Sequence, residues 1–193
     1  LSYVANGLTS CTTYNFSIVA EDLSGNLSDE NSINITTILL KPVLTAGDVS
    51  SDSVKLNWEA VANADNYEIE INGEVADSTS DASYTANGLV ANETYIFRVR
   101  AVKSQIKSEW SNEVSVNTLL PTPENLVVNQ YGLSAVLTWS GNEICSGYEI
   151  YRNDVKIDTT NGFNYTDGNV VLGNSYTYKV KGYSCLLYTF DAA

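Results

Sequence analysis

The chain has 193 residues, 44% of them apolar and 17% charged, which is enough hydrophobicity for packed cores and too little charge for a disordered chain. A formal charge of −13 argues against nucleic-acid binding, which needs clustered Lys and Arg, and the absence of His removes the commonest general base and zinc ligand. No apolar run approaches the roughly 18 residues of a membrane span.

The chain opens at Leu1 and contains no Met, so it reads as a processed chain or an excerpt of a longer one. No basic start followed by an apolar stretch marks a signal peptide near its beginning. The first strand signal is Tyr14-Asn-Phe16-Ser-Ile18-Val-Ala20, and it recurs as Tyr95-Ile-Phe97-Arg-Val99-Arg-Ala101 and as Tyr176-Thr-Tyr178-Lys-Val180-Lys-Gly182. Both offsets are 81 residues, and Pro42/Pro123, Leu56-Asn-Trp58/Leu137-Thr-Trp139 and Tyr67-Glu-Ile69/Tyr148-Glu-Ile150 keep the same offset. An apolar residue stands six positions before each tyrosine, at Leu8, Leu89 and Val170. The chain is therefore a tandem repeat of one domain of about 80 residues.

In chain order, the complete middle copy predicts strands over Leu44–Val49, Val54–Glu59, Asn66–Ile71, Glu74–Asp77, Ser83–Ala86, Thr94–Val102 and Glu113–Thr118. Tyr95, Phe97, Val99 and Ala101 fall on one face against Arg98 and Arg100, and Tyr67, Ile69 and Ile71 alternate with Glu68 and Glu70, as in half-buried strands. Asn72-Gly73, Asn87-Gly88, Asn161-Gly162 and Asp167-Gly168 separate them as turns. Short strands punctuated by turns read as an antiparallel sandwich. Leu39–Pro42 and Leu119–Pro123 are short, Pro-restricted linkers.

The early Trp, the Tyr-x-Ile strand, the Gly-Leu step and Tyr-x-Phe-x-Val-x-Ala together resemble fibronectin type III repeats over essentially the whole chain. The resemblance implies an all-β fold of tandem immunoglobulin-like antiparallel β-sandwiches, without catalysis or a cofactor. It also implies a tyrosine corner at Tyr14, Tyr95 and Tyr176, each hydroxyl bonding back to the backbone before its strand. The domains expected are 1–40, holding only the last three strands of a copy, 41–120, complete, and 121–193, lacking its last strand. An unpaired edge on the strand Ser175–Tyr183 invites pairing with another chain, hence self-assembly by strand complementation.

The chemistry-bearing candidates are few. Glu68 and Glu70 share one strand face, where two carboxylates can suggest glycoside hydrolysis, but a solvated face is the plainer reading. Asp22-Leu-Ser-Gly-Asn26 and Asp167-Gly-Asn169 resemble Ca²⁺ turns without the ligand density of a dedicated loop. No metal site and no cofactor is expected. Sequons stand at Asn15, Asn26, Asn34, Asn92 and Asn164, at about the frequency that so much Asn, Ser and Thr gives by chance. Trp110, Tyr131, Tyr183, Tyr188 and Phe190 lie in or near loops, where an exposed ring can stack on a sugar or anchor a partner. Of these, Trp110, Tyr183 and Tyr188 are the ligand-contact candidates, against packing at a loop base.

In the topology the resemblance implies, Cys145 lies just before the third strand of its copy and Cys185 just after the sixth. Those strands are antiparallel neighbours, so the pair is expected as a disulfide, which implies an oxidising compartment. Cys11 has no such partner. The expected role is an extracellular, secreted or cell-surface spacer or adhesion array whose partner is a protein or glycan on a cell or matrix surface. One alternative is an accessory carbohydrate-binding or spacer module of a secreted glycan-active enzyme, and another is a filament subunit.

Overall fold

A computed structural model describes residues 2–184, and every described element is a strand. The chain divides into two compact units. One holds the chain up to Asp48 with Val54–Ala86 and Thr94–Val116. The other holds Val49–Ser53, Asn87–Glu93 and the chain from Asn117 onward.

In the first unit, β1 (Thr13–Ile18) and β2 (Asn31–Thr36) form a two-stranded antiparallel ladder, with Tyr14 opposite Ile35 and Phe16 opposite Ile33. Three strands were expected here, but residues 2–6 join no ladder. In a sandwich that segment pairs with a strand of the facing sheet, and the described residues of this copy contain none. Phe16, Ile33 and Ile35 accordingly line an open apolar face.

The middle repeat opens with β3 (Thr45–Val49), β4 (Ser53–Asn57), β5 (Asn66–Ile71) and β6 (Glu74–Thr79). It continues with β7 (Ser83–Asn87), β8 (Thr94–Lys103), β9 (Ile106–Lys107) and β10 (Val114–Asn117). One sheet runs β3-β4-β7 and the other β10-β8-β5-β6, with β9 hairpinned onto β8. The predicted strands fall in place to within a few residues, because period-two alternation fixes which side of each strand is wet. Leu56, Ile69, Phe97 and Val99 are fully buried, and Trp58 meets Tyr67 edge-on at 5.2 Å.

The second unit carries β11 (Glu124–Tyr131), β12 (Ser134–Ser140), β13 (Gly147–Arg152), β14 (Val155–Thr160), β15 (Asn164–Asp167) and β16 (Tyr178–Tyr183). They form the sheets β11-β12-β15 and β14-β13-β16. The core repeats that of the middle copy in kind, with Leu137, Trp139, Tyr148 and Ile150 at its centre and Trp139 edge-on to Tyr148 at 5.5 Å. Turn geometry repeats as well. Asn72-Gly73 and Asn153-Asp154 all have positive φ, at 52°, 87°, 51° and 65°. This is the conformation that a two-residue hairpin twisting with its strands requires. Asp154 adopts it without being glycine, which an Asp side chain tolerates better than most.

Candidate functional site

The outer face of the β5–β8 ladder is built by alternation. Phe97 and Val99 point inward, so Arg98 and Arg100 point out, opposite Glu70 and Glu68 in register. Arg98 Nη2 lies 2.6 Å from Glu70 Oε1, and Arg100 Nη2 lies 2.6 Å from Glu68 Oε2. Lys107 Nζ reaches the other Glu68 oxygen at 2.7 Å. Those bonds, the Lys107 one foremost, hold the Glu68 carboxyl below its usual range against the opposing effect of burial. Carboxylates committed to guanidinium groups are not poised as acid and nucleophile. Nor is this the solvated face expected, since Glu70 is only 5% exposed.

Trp110 sits on this face, half-buried, with the Arg100 guanidinium 4.2 Å and that of Arg98 5.6 Å from its ring centroid. Two serines deliver it there. Ser108 Oγ accepts the Ala101 amide and Ser111 Oγ the Val99 amide, both at 3.0 Å, in place of ladder carbonyls. Trp110 is thus a cation–π platform for its own arginines rather than a free loop ring. Tyr183 is half-buried at the end of β16 and lies against Gly147, where an added Cβ would meet its Oη at 2.5 Å. Tyr131 is exposed beside the β11–β12 turn. Tyr188 and Phe190 lie outside the described residues.

Tyr14 Oη accepts the Thr9 amide at 2.8 Å, and Tyr176 Oη accepts the Val171 amide at 3.1 Å, each five residues upstream. A repeated threonine supports the same turn. Thr37 Oγ1 donates to Thr9 O at 2.6 Å and accepts from Thr12 N at 2.9 Å. Thr118 Oγ1 donates to Val90 O at 2.7 Å and accepts from Glu93 N at 3.1 Å. Sequence reading missed these threonines, although their 81-residue spacing was there to be seen.

In both Ca²⁺-like turns the carboxylate is engaged within the chain. Asp22 Oδ1 accepts the amides of Ser24 and Asn26, and its Oδ2 accepts Asn26 Nδ2. Asp167 is not a turn ligand at all: it ends β15 and is 2% exposed. Its Oδ2 accepts from Arg152 Nη1 and Tyr178 Oη, each at 2.8 Å, and its Oδ1 from the Asn169 amide at 2.9 Å. Arg152 also donates to Asn169 O and lies over the Tyr176 ring. Among the described residues no group of three or more His, Cys, Asp or Glu is placed to hold a metal.

Burial first, then the Asp167 carboxylate, pushes the Tyr178 hydroxyl up to about 12. A free tyrosine ionises near pH 10, so folding favours the neutral phenol. This contribution to stability is whole below about pH 10 and disappears as pH rises through the folded value. A tyrosinate absorbance titration should show a late-ionising tyrosine that Tyr178→Phe removes. An unchanged titration curve would refute the assignment.

Cys145 is half-buried with a free thiol, its Sγ 2.6 Å from where a Cβ on Gly182 would stand. The neighbouring Ser146 amide donates to Tyr183 O at 2.8 Å. Cys185 lies outside the described residues. Cys11 is a half-buried free thiol in a turn at φ 49°.

Residues 42–117 match the family described as the Fibronectin type III domain. The chain is 26% identical over 214 aligned positions to Exoglucanase B of Cellulomonas fimi, covering 93% of this chain and 19% of the relative. It is 41% identical over 70 positions to the Poly(3-hydroxybutyrate) depolymerase of Ralstonia pickettii, covering 36% of this chain and 14% of the relative. The chain thus spans about a fifth or less of either relative. Among solved structures, a two-domain fibronectin type III segment of chicken tenascin superposes with a TM-score of 0.52 at 18% identity, over 76% of this chain and 93% of that one. The antiparallel sheets, the repeated Trp–Tyr cores and these matches agree: residues 42–117 are a fibronectin type III domain, and the chain as a whole is fibronectin type III-like.

Proposed function

We propose that this chain is a non-catalytic spacer within a secreted polymer-degrading enzyme, with repeats bounded near residues 1–40, 41–120 and 121–193. One observation carries the reading. The relatives it resembles are named for polymers that share no chemistry, a glucan and a hydroxybutyrate polyester, and the likeness covers only a minor part of each. A segment common to both is better suited to spacing than to recognising either polymer. The site fits this reading, because Arg100 lies over the Trp110 ring and Glu68 and Glu70 are ion-paired, so each already has a partner within the chain.

The test is a depletion assay with particulate cellulose, chitin, starch granules and poly(3-hydroxybutyrate). The chain should stay in solution with every one. Retention on one polymer, lost on Trp110→Ala or Tyr183→Ala, would replace the spacer reading by a binding module.

A secreted location also predicts the Cys145–Cys185 disulfide. Non-reducing peptide mapping of natively oxidised protein should recover the two cysteines in one linked peptide. Free thiols at both positions would remove this support for an oxidising compartment.

A further inference from the structure

We propose that the Arg152–Asp167–Tyr178 cluster is an identity lock, which keeps strands of the third repeat from exchanging with the equivalent strands of the middle repeat as the tandem array folds. Exchange between adjacent homologous domains is a characteristic failure of repeat proteins. The centre of the two cores offers it little resistance. Leu56, Trp58, Tyr67 and Ile69 of the middle repeat return unchanged as Leu137, Trp139, Tyr148 and Ile150.

At the cluster the repeats diverge in concert. The 81-residue register places Ile71 at the position of Arg152, Ala86 at that of Asp167 and Phe97 at that of Tyr178. Ile71 faces Phe97 across its ladder just as Arg152 faces Tyr178 across its own. The three polar residues come from three strands and both sheets, since β15 belongs to one sheet and β13 and β16 to the other. Replacing any one strand by its counterpart therefore breaks the set. With β5 in place of β13, Asp167 loses its guanidinium. With β8 in place of β16 it loses the phenol. With β15 in place of β7, the carboxylate is placed beside Ile71 and Phe97 without guanidinium or phenol. A buried charge stripped of its partners is among the costliest defects a core can hold, whereas an apolar residue in that place is tolerated.

Repeated stretch–relax cycles on single full-length chains test this. A native array unfolds one repeat at a time, and an exchanged pair unfolds as one event of about twice the length. Arg152→Ile/Asp167→Ala/Tyr178→Phe makes both repeats apolar, and Ile71→Arg/Ala86→Asp/Phe97→Tyr makes both polar. Each should raise the frequency of double-length events several-fold. Combining the six substitutions moves the cluster to the middle repeat and should return the frequency to that of the parent. A purely stabilising role predicts no such return. The lock is overturned if the first set leaves the frequency unchanged, or if the combined variant does not restore it. Loss of native unfolding events in both three-residue variants would overturn it too, by showing that the two cores do not interchange.

Discussion

Asp167→Ala should lower the stability of the third repeat by about 1–3 kcal/mol, because it removes the acceptor shared by the Tyr178 hydroxyl and by the Arg152 guanidinium, which is a quarter exposed and keeps its bond to Asn169 O. Asp167→Asn keeps the shape and a hydrogen-bond acceptor but not the charge, and should fall between parent and alanine. Burial alone would push the Asp167 carboxyl up. The Asn169 amide, the Tyr178 hydroxyl and the Arg152 guanidinium outweigh it and hold the carboxyl below its usual range. Since the folded value lies below the unfolded one, this contribution is present above about pH 4 and is lost as pH falls through the folded value. Denaturant midpoints followed from pH 7 downward should converge for parent and Asp167→Asn. Equal midpoints at pH 7, or a gap that persists at low pH, would contradict the assignment. Arg152→Ile/Asp167→Ala/Tyr178→Phe should come close to the parent at pH 7, since it installs the apolar set that the middle repeat already packs as Ile71, Ala86 and Phe97.

Asp167 also marks where sequence reading stopped. An Asp-Gly pair after an alternating run signals a turn, and Asp167-Gly168 does end a strand. That the carboxylate turns inward depends on Arg152 and Tyr178, which reach it from two other strands and which no local pattern joins to it. The ladder itself was legible. Tyr67, Ile69, Phe97 and Val99 declare their inward face by period two, and the 81-residue offset carries the same assignment to the third repeat. Cross-strand partners were not, because Glu68 and Glu70 look alike in sequence and only the register sets one against Arg100 and the other against Arg98. Trp110 stands between charged and polar neighbours and reads as loop. The hydroxyls of Ser108 and Ser111 bring it onto the arginines by replacing carbonyls in the ladder, a substitution that composition does not reveal.

Thr118→Val should destabilise the chain by about 2 kcal/mol, with almost no change in volume. Thr118 is 1% exposed, and its hydroxyl closes a turn by donating to Val90 O and accepting from Glu93 N. Valine removes this partner from both backbone groups, and although Val90 and Glu93 are themselves exposed, the side-chain site between them is closed by Thr118, so each lost bond costs about 1 kcal/mol. Thr118→Ser separates hydrogen bonding from packing. It keeps the hydroxyl and deletes one methyl group, so it should cost only about 1 kcal/mol. Equal losses for the two variants would assign the effect to packing and dismiss the hydroxyl. The same bonds recur at Thr37, but that residue is only half-buried, so water can replace the lost hydroxyl there. Thr37→Val should therefore cost clearly less than Thr118→Val, the difference between them measuring what exclusion of water adds to one repeated hydrogen-bond pattern.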